Sequence, residues 1–130
     1  MNFKSQICTT KEQSERLIAL GLKKETADMW YPHFAKTYPI PLADEVLTTD
    51  DIPAWSLGRL IEMMPMTLIE DRVYHEYWEL NVTPIMVIYR NQDEPSEWIG
   101  ECLGQGMYNN IIDCIEWLIK EGYFNNKYLV

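Results

Sequence analysis

No apolar run in this chain is long enough to cross a bilayer. Runs such as Pro84–Tyr89 fall far short of the roughly 20 residues that a spanning helix needs. The opening M-N-F-K-S-Q-I-C-T-T lacks the continuous apolar segment of a secretory signal, so a cytoplasmic setting is expected. Cysteine is scarce and unpatterned. Cys8, Cys102 and Cys114 are odd in number, form no Cys-x-x-Cys, and are accompanied by only two histidines, His33 and His75, far apart in sequence. A zinc site or disulfide framework therefore has no support, and reduced thiols are expected. Basic residues are also few, 11 against 20 acidic, for a formal net charge of −9. Such a surface repels phosphate backbones and anionic lipid, which argues against direct nucleic-acid or membrane binding.

Cofactor motifs are missing as well. Gly100-Glu101-Cys102-Leu103-Gly104-Gln105-Gly106 is dense in glycine but lacks the Lys-Ser/Thr of a phosphate loop and the context of a dinucleotide fingerprint. It reads as a flexible lead-in to the last helix. The acid pairs Glu70-Asp71 and Asp93-Glu94 sit at expected turns without the spacing of a calcium loop. No cofactor and no metal are expected.

What is present is the composition of a folded protein. Of 130 residues, 47% are hydrophobic and 24% charged, and no repeat or low-complexity linker divides them, so a single domain over 1–130 is expected. The pattern predicts an α+β fold, with three main helices packed on a small, about three-stranded, antiparallel sheet.

The first helix is expected over about Lys11–Leu20. Thr9 with Glu12, or Thr10 with Gln13, supplies a capping box, and Gly21 stops the helix with Leu22 folding back on Leu17. A short second helix is expected over Lys24 to about Met29. From Trp30 to Thr49 the prolines Pro32, Pro39 and Pro41 alternate with aromatics, which predicts an ordered connection without regular structure.

Asp50–Pro65 reads as a helix opened by acids and Pro53 and closed by Pro65. Ala54, Leu57, Leu60, Ile61 and Met64 form its apolar face, with Trp55 on the flank. Gly58 within it points to another backbone passing close by. Strands are expected over Met66–Glu70, Tyr77–Val82 and Ile85–Tyr89, with Pro84 at an edge, bulge or turn and Asn91–Ser96 as a polar turn. The last helix, about Tyr108–Glu121, carries Ile111, Ile112, Ile115, Leu118 and Ile119 on one stripe. It ends at Gly122 with Tyr123 closing onto Leu118.

Chemical constellations are thin. Tyr74-His75-Glu76 sets a base beside a carboxylate, but in a strand the two point to opposite faces. Cys8 or Cys102 as a nucleophile needs a histidine delivered by the fold. The surplus lies in five Trp and eight Tyr, the residue types most enriched at binding hot spots. Trp55, Trp78 and Trp98 are the candidates for a partner-binding patch.

Three blocks, T-T-K-E-Q-S-E-R-L-I-A-L-G-L (Thr9–Leu22), I-P-A-W-S-L-G-R-L-I-E-M-M-P (Ile52–Pro65) and I-I-D-C-I-E-W-L-I-K-E-G-Y (Ile111–Tyr123), together resemble a family of small uncharacterised bacterial proteins often found in prophage or other mobile-element regions. The resemblance transfers no functional residue and implies at most a phage-related or accessory context. The expected function is a non-catalytic protein-interaction or accessory protein, binding a protein partner or a second copy of itself. A small enzyme built from scattered residues, and an acidic nucleic-acid mimic that blocks a basic partner, are the alternatives.

Overall fold

A computed structural model describes residues 4–34, 38–42, 48, 50–70 and 76–130. His75, with its neighbour Tyr74, lies outside them. The chain forms two compact units, one of Met1–Met63 with Asn126–Val130, the other of Met64–Asn125.

In the first unit, helix α1 spans Lys11–Ala19. Thr10 caps it: its hydroxyl accepts from the Gln13 amide at 3.1 Å, while the Gln13 side chain accepts from the Thr10 amide at 2.9 Å. Gly21, at a φ of +104°, reverses the chain, and the amides of Gly21 and Leu22 donate to the carbonyls of Ile18 and Leu17. This is the two-bond ending that the Gly21-Leu22 pair predicts. Only a single 3-10 turn, Lys24–Thr26, follows.

The proline-rich region holds more regular structure than its composition suggests. Strands β1 (Met29–Tyr31), β2 (Ile40–Pro41) and β3 (Ile52–Ala54) form an antiparallel sheet in the order β2-β1-β3. Pro41 and Pro53 both lie on edge strands, where a missing amide breaks no inner ladder.

The helix expected from Asp50 to Pro65 is therefore divided. Its first part is β3, and helix α2 spans only Leu57–Met63. Ser56 starts α2, its hydroxyl accepting from the Arg59 amide at 3.2 Å. A cap of this kind replaces the expected Pro53 start. Gly58 faces open space, with no atom within 4 Å of where a Cβ would stand, so the close backbone approach is not there.

Polar side chains join these pieces. The Thr9 hydroxyl accepts from the Trp55 amide at 3.1 Å, and the Trp55 indole donates to the Thr26 hydroxyl at 2.9 Å. Asp28 accepts from the amide and hydroxyl of Ser56. The C-terminal residues dock here too: the Lys23 amide donates to Tyr128, the Val130 amide to Gly21, and Leu129 bridges Leu22.

The second unit is a four-stranded antiparallel meander, β4 (Thr67–Glu70), β5 (Glu76–Val82), β6 (Met86–Asn91) and β7 (Trp98–Leu103), followed by helix α3 (Met107–Glu121). The three helices are thus divided between two sheets, in place of three helices on one three-stranded sheet. Strand β7 takes in Gly100-Glu101-Cys102-Leu103, the first part of the segment whose glycines predict a flexible lead-in. Helix α3 ends as predicted, with Gly122 at a φ of +78° and the Tyr123 amide donating to Leu118 at 2.9 Å.

One face of this sheet lies against α3. Trp117 packs on Tyr89 at 6.1 Å and on Tyr123 at 5.8 Å between ring centroids. Its ring also lies over Gly100, where a Cβ would come within 2.8 Å of it. The Tyr89 hydroxyl donates to the Pro65 carbonyl at 2.8 Å, and burial pushes its pKa above the ordinary tyrosine range. Asn110, fully buried on α3, accepts from the Gln105 amide and donates to the Ile85 carbonyl, tying the β5–β6 hairpin to the helix start. Among the described residues, no helix is long and apolar enough to cross a membrane.

Candidate interaction face

Strand register decides which side chains share the sheet face away from α3. Residues directly opposite in neighbouring strands point to the same side. Thr67 faces Glu79, Ile69 faces Tyr77, Glu79 faces Arg90 and Arg90 faces Trp98. The Val87, Tyr89 and Trp78 positions take the other side, and all three are buried.

A register shift falls between Val87 and Tyr89 opposite the segment Ile99–Cys102. Gly100 takes a φ of +66° there, and the extra residue returns Glu101 and Leu103 to the outer side beside Trp98. Without the bulge, strict alternation would turn both of them toward α3.

The outer face carries Ile69, Tyr77, Trp98 and Leu103 at 42–56% exposure. Next to Trp98 and Leu103, the strands leave an open depression of about 230 Å³ lined by Met86, Ile88, Arg90, Trp98, Glu101 and Leu103. Ile88 forms its buried floor at 1% exposure. Arg90 lies over the Trp98 ring, its guanidinium carbon 5.6 Å from the centroid, and also donates to the Pro95 carbonyl. The Trp98 indole donates to Glu101. Both polar tips of Trp98's neighbours are engaged in holding its ring, so a large aromatic surface is presented in a fixed orientation.

The adjoining β6–β7 turn is set by Asn91, whose buried side chain accepts from the amides of Asp93 and Glu94 at 2.9 and 3.0 Å. The turn holds Asp93, Glu94 and Glu97 at the surface.

Of the three tryptophans that the sequence offers for partner binding, only Trp98 is at the surface, at 45% exposure. Trp55 is at 0% and Trp78 at 5%. Trp55 precedes α2 instead of lying on its flank, and its hydrogen bonds to Thr9 and Thr26 bind it into the core of the first unit. Trp78 is on the α3 side of β5, its indole N–H enclosed without a partner. The period-two alternation of β5 carries that information, since Trp78 shares parity with Leu80 and Val82. Ile69, Leu103 and the bulge at Gly100 left no comparable mark in the sequence.

The first unit holds one histidine–carboxylate pair. His33 Nδ1 is 2.9 Å from Asp51 Oδ1, and Asp51 also accepts from the His33 amide, the Thr48 amide and the Thr48 hydroxyl. The Thr48 amide, outweighing burial, and the bonds from His33 and Thr48 hold the Asp51 carboxyl well below the usual carboxylate range. With those donors around it, Asp51 ties Thr48 and His33 to the start of β3. The His33 side chain is 53% exposed and packs edge-on against Phe34.

Cys8 and Cys114 are held in the thiol form. Cys8 lies 3.7 Å from the Tyr31 hydroxyl with its pKa raised by burial. The hydrogen bond with Cys102, together with burial, pushes Cys114 far above the thiol range. None of the three cysteines forms a disulfide, and among the described residues no three His, Cys, Asp or Glu side chains gather to hold a metal ion. Comparison with models of protein families, with characterised proteins and with solved structures finds no match to this chain.

Proposed function

We propose that the chain is a non-catalytic protein-interaction or accessory protein, working in the cytoplasm and binding through the outer face of the β4–β7 sheet. The observation that carries this reading is the pair Trp98 and Leu103, half-exposed apolar side chains lining a depression on one face of a regular sheet that also leaves Ile69 and Tyr77 exposed. Large apolar side chains left exposed beside a depression mark interaction sites, and a rigidly held Trp is a hot-spot residue type. The three blocks that resemble a prophage-associated family support an accessory role of phage or mobile-element origin.

A photo-crosslinking amino acid placed at Leu103, and in a separate sample at Glu12 on α1, tests the reading in the native cell. Crosslinks to a protein, or to a second copy, from position 103 but not from 12 are expected. Equal labelling from both positions, or none from either, overturns it.

A second reading, a small enzyme, is favoured by the His33–Asp51 pair. A carboxylate bonded to one ring nitrogen fixes an imidazole so that the other nitrogen can accept a proton. It predicts slow hydrolysis of activated esters that is lost in His33→Gln. Unchanged hydrolysis in that variant removes the reading.

A further inference from the structure

Resting on the interaction reading above, the charge around the depression points to its occupant. Arg90 is the one cation in strands β4–β7, and it is engaged by the Trp98 ring and the Pro95 carbonyl. Against it stand exposed carboxylates on two sides: Glu79 and Glu101 on the face, and Asp93, Glu94 and Glu97 in the adjoining turn. The floor and walls are apolar, supplied by Met86, Ile88, Trp98 and Leu103.

We infer that this face takes a basic segment of another protein, one large apolar side chain entering the depression and flanking Lys or Arg residues meeting the carboxylate rim. The volume of about 230 Å³ accommodates one large side chain but not a cluster. A second copy of the chain is disfavoured as occupant, because it brings a net charge of −9 against another −9, with the same carboxylates opposed. Anionic lipid is repelled for the same reason. A nucleic-acid mimic also seeks a basic partner, but it gives no role to the apolar floor at Ile88 and Leu103.

The test selects a random linear peptide library on the full chain, then measures the enriched synthetic peptides against wild type and variants. Enrichment of one bulky apolar residue flanked by Lys or Arg is expected, with affinity that weakens as salt rises. Trp98→Ala is expected to weaken such peptides by about thirtyfold, the size of a hot-spot loss near 2 kcal/mol. Glu97→Lys with Glu101→Gln is expected to weaken them more at low salt than at high salt. Retained α3 signals in NMR spectra of each variant show that the fold is intact.

Acidic or uncharged winners that still require Trp98 overturn the basic occupant but leave the interaction reading standing. Dimerisation that Leu103→Asp abolishes, without Trp98-dependent peptides, makes the second copy the occupant and also overturns it. No Trp98-dependent binding and no self-association overturn both readings.

Discussion

The two units of this protein use their polar residues in opposite ways. In the first, short strands of two or three residues are joined by buried or half-buried polar hubs: Thr9 with Trp55, Asp28 with Ser56, Asp51 with His33 and Thr48. In the second, regular ladders and the stripe of α3 supply the framework, Asn110 is a single buried polar tie, and other polar side chains gather at turns and at the rim of an exposed face. Where regular pairing is scarce, side chains must satisfy the backbone groups that a longer sheet would satisfy itself. Thr9, Asp28, Asp51 and Trp55 of the first unit are consequently consumed by the fold. The second unit can leave Trp98 and Leu103 outside, because its ladder does not depend on them.

This contrast is strongest at the tryptophans. Trp55→Ala should destabilise the protein by about 3–5 kcal/mol, through both the cavity and the lost hydrogen bond to the Thr26 hydroxyl. Trp98→Ala, an exposed truncation, should stay within about 1 kcal/mol. Urea unfolding of the two variants compares them directly, and equal losses would break the distinction.

Gly100→Ala comes next. Its left-handed φ and the Trp117 ring lying where a Cβ would stand predict a loss of about 2 kcal/mol, from backbone strain and overpacking together. The same substitution should disturb the Trp98 and Leu103 resonances, because the bulge aims those residues outward. A loss confined to stability, with the outer face unmoved, would separate the bulge from the site.

The Asp51 hub sharpens the comparison through pH. A carboxyl whose pKa is lowered on folding contributes stability that is full above its unfolded value, near 4, and declines as pH falls through the folded value. Asp51→Asn should therefore be less stable than wild type at neutral pH, with the gap narrowing below about pH 4. Thermal melts across that range test this, and a gap constant with pH would remove Asp51 as an ionised hub.

The smallest effect concerns Gly58, an unstrained helical glycine with open space around it. Gly58→Ala should stabilise the protein by about 0.5–1 kcal/mol, measured in the same urea series. Destabilisation would show that this position on α2 is more crowded than its surroundings indicate.

Several motifs contained within one short stretch of chain are legible in the sequence. The Thr10–Gln13 box, both glycine endings, the stripe of α3 and the alternation of β5 each need only a few consecutive residues. Strands β1, β3 and β7 were not legible. Pro53 becomes acceptable only because Trp30 pairs with it at an edge, and Gly100 only because a bulge and Trp117 use its missing side chain. The candidate face was legible to the extent of Trp98, because a tryptophan advertises itself in any sequence. Ile69 and Leu103 on the same face do not, since an isolated apolar residue reads as core until its partners are known.

The sequence by itself determined the α+β class, the three helices with their stops, the acidic charge and the absence of a recognisable cofactor motif, all properties of composition or of short local patterns. Tertiary structure alone decided that there are two sheets, that Trp55 and Trp78 are enclosed while Trp98 is not, and that Arg90, Glu101 and Leu103 surround a common depression. Those outcomes depend on pairing between residues distant along the chain, and whether a side chain faces solvent is settled only when another strand or helix has, or has not, come to cover it.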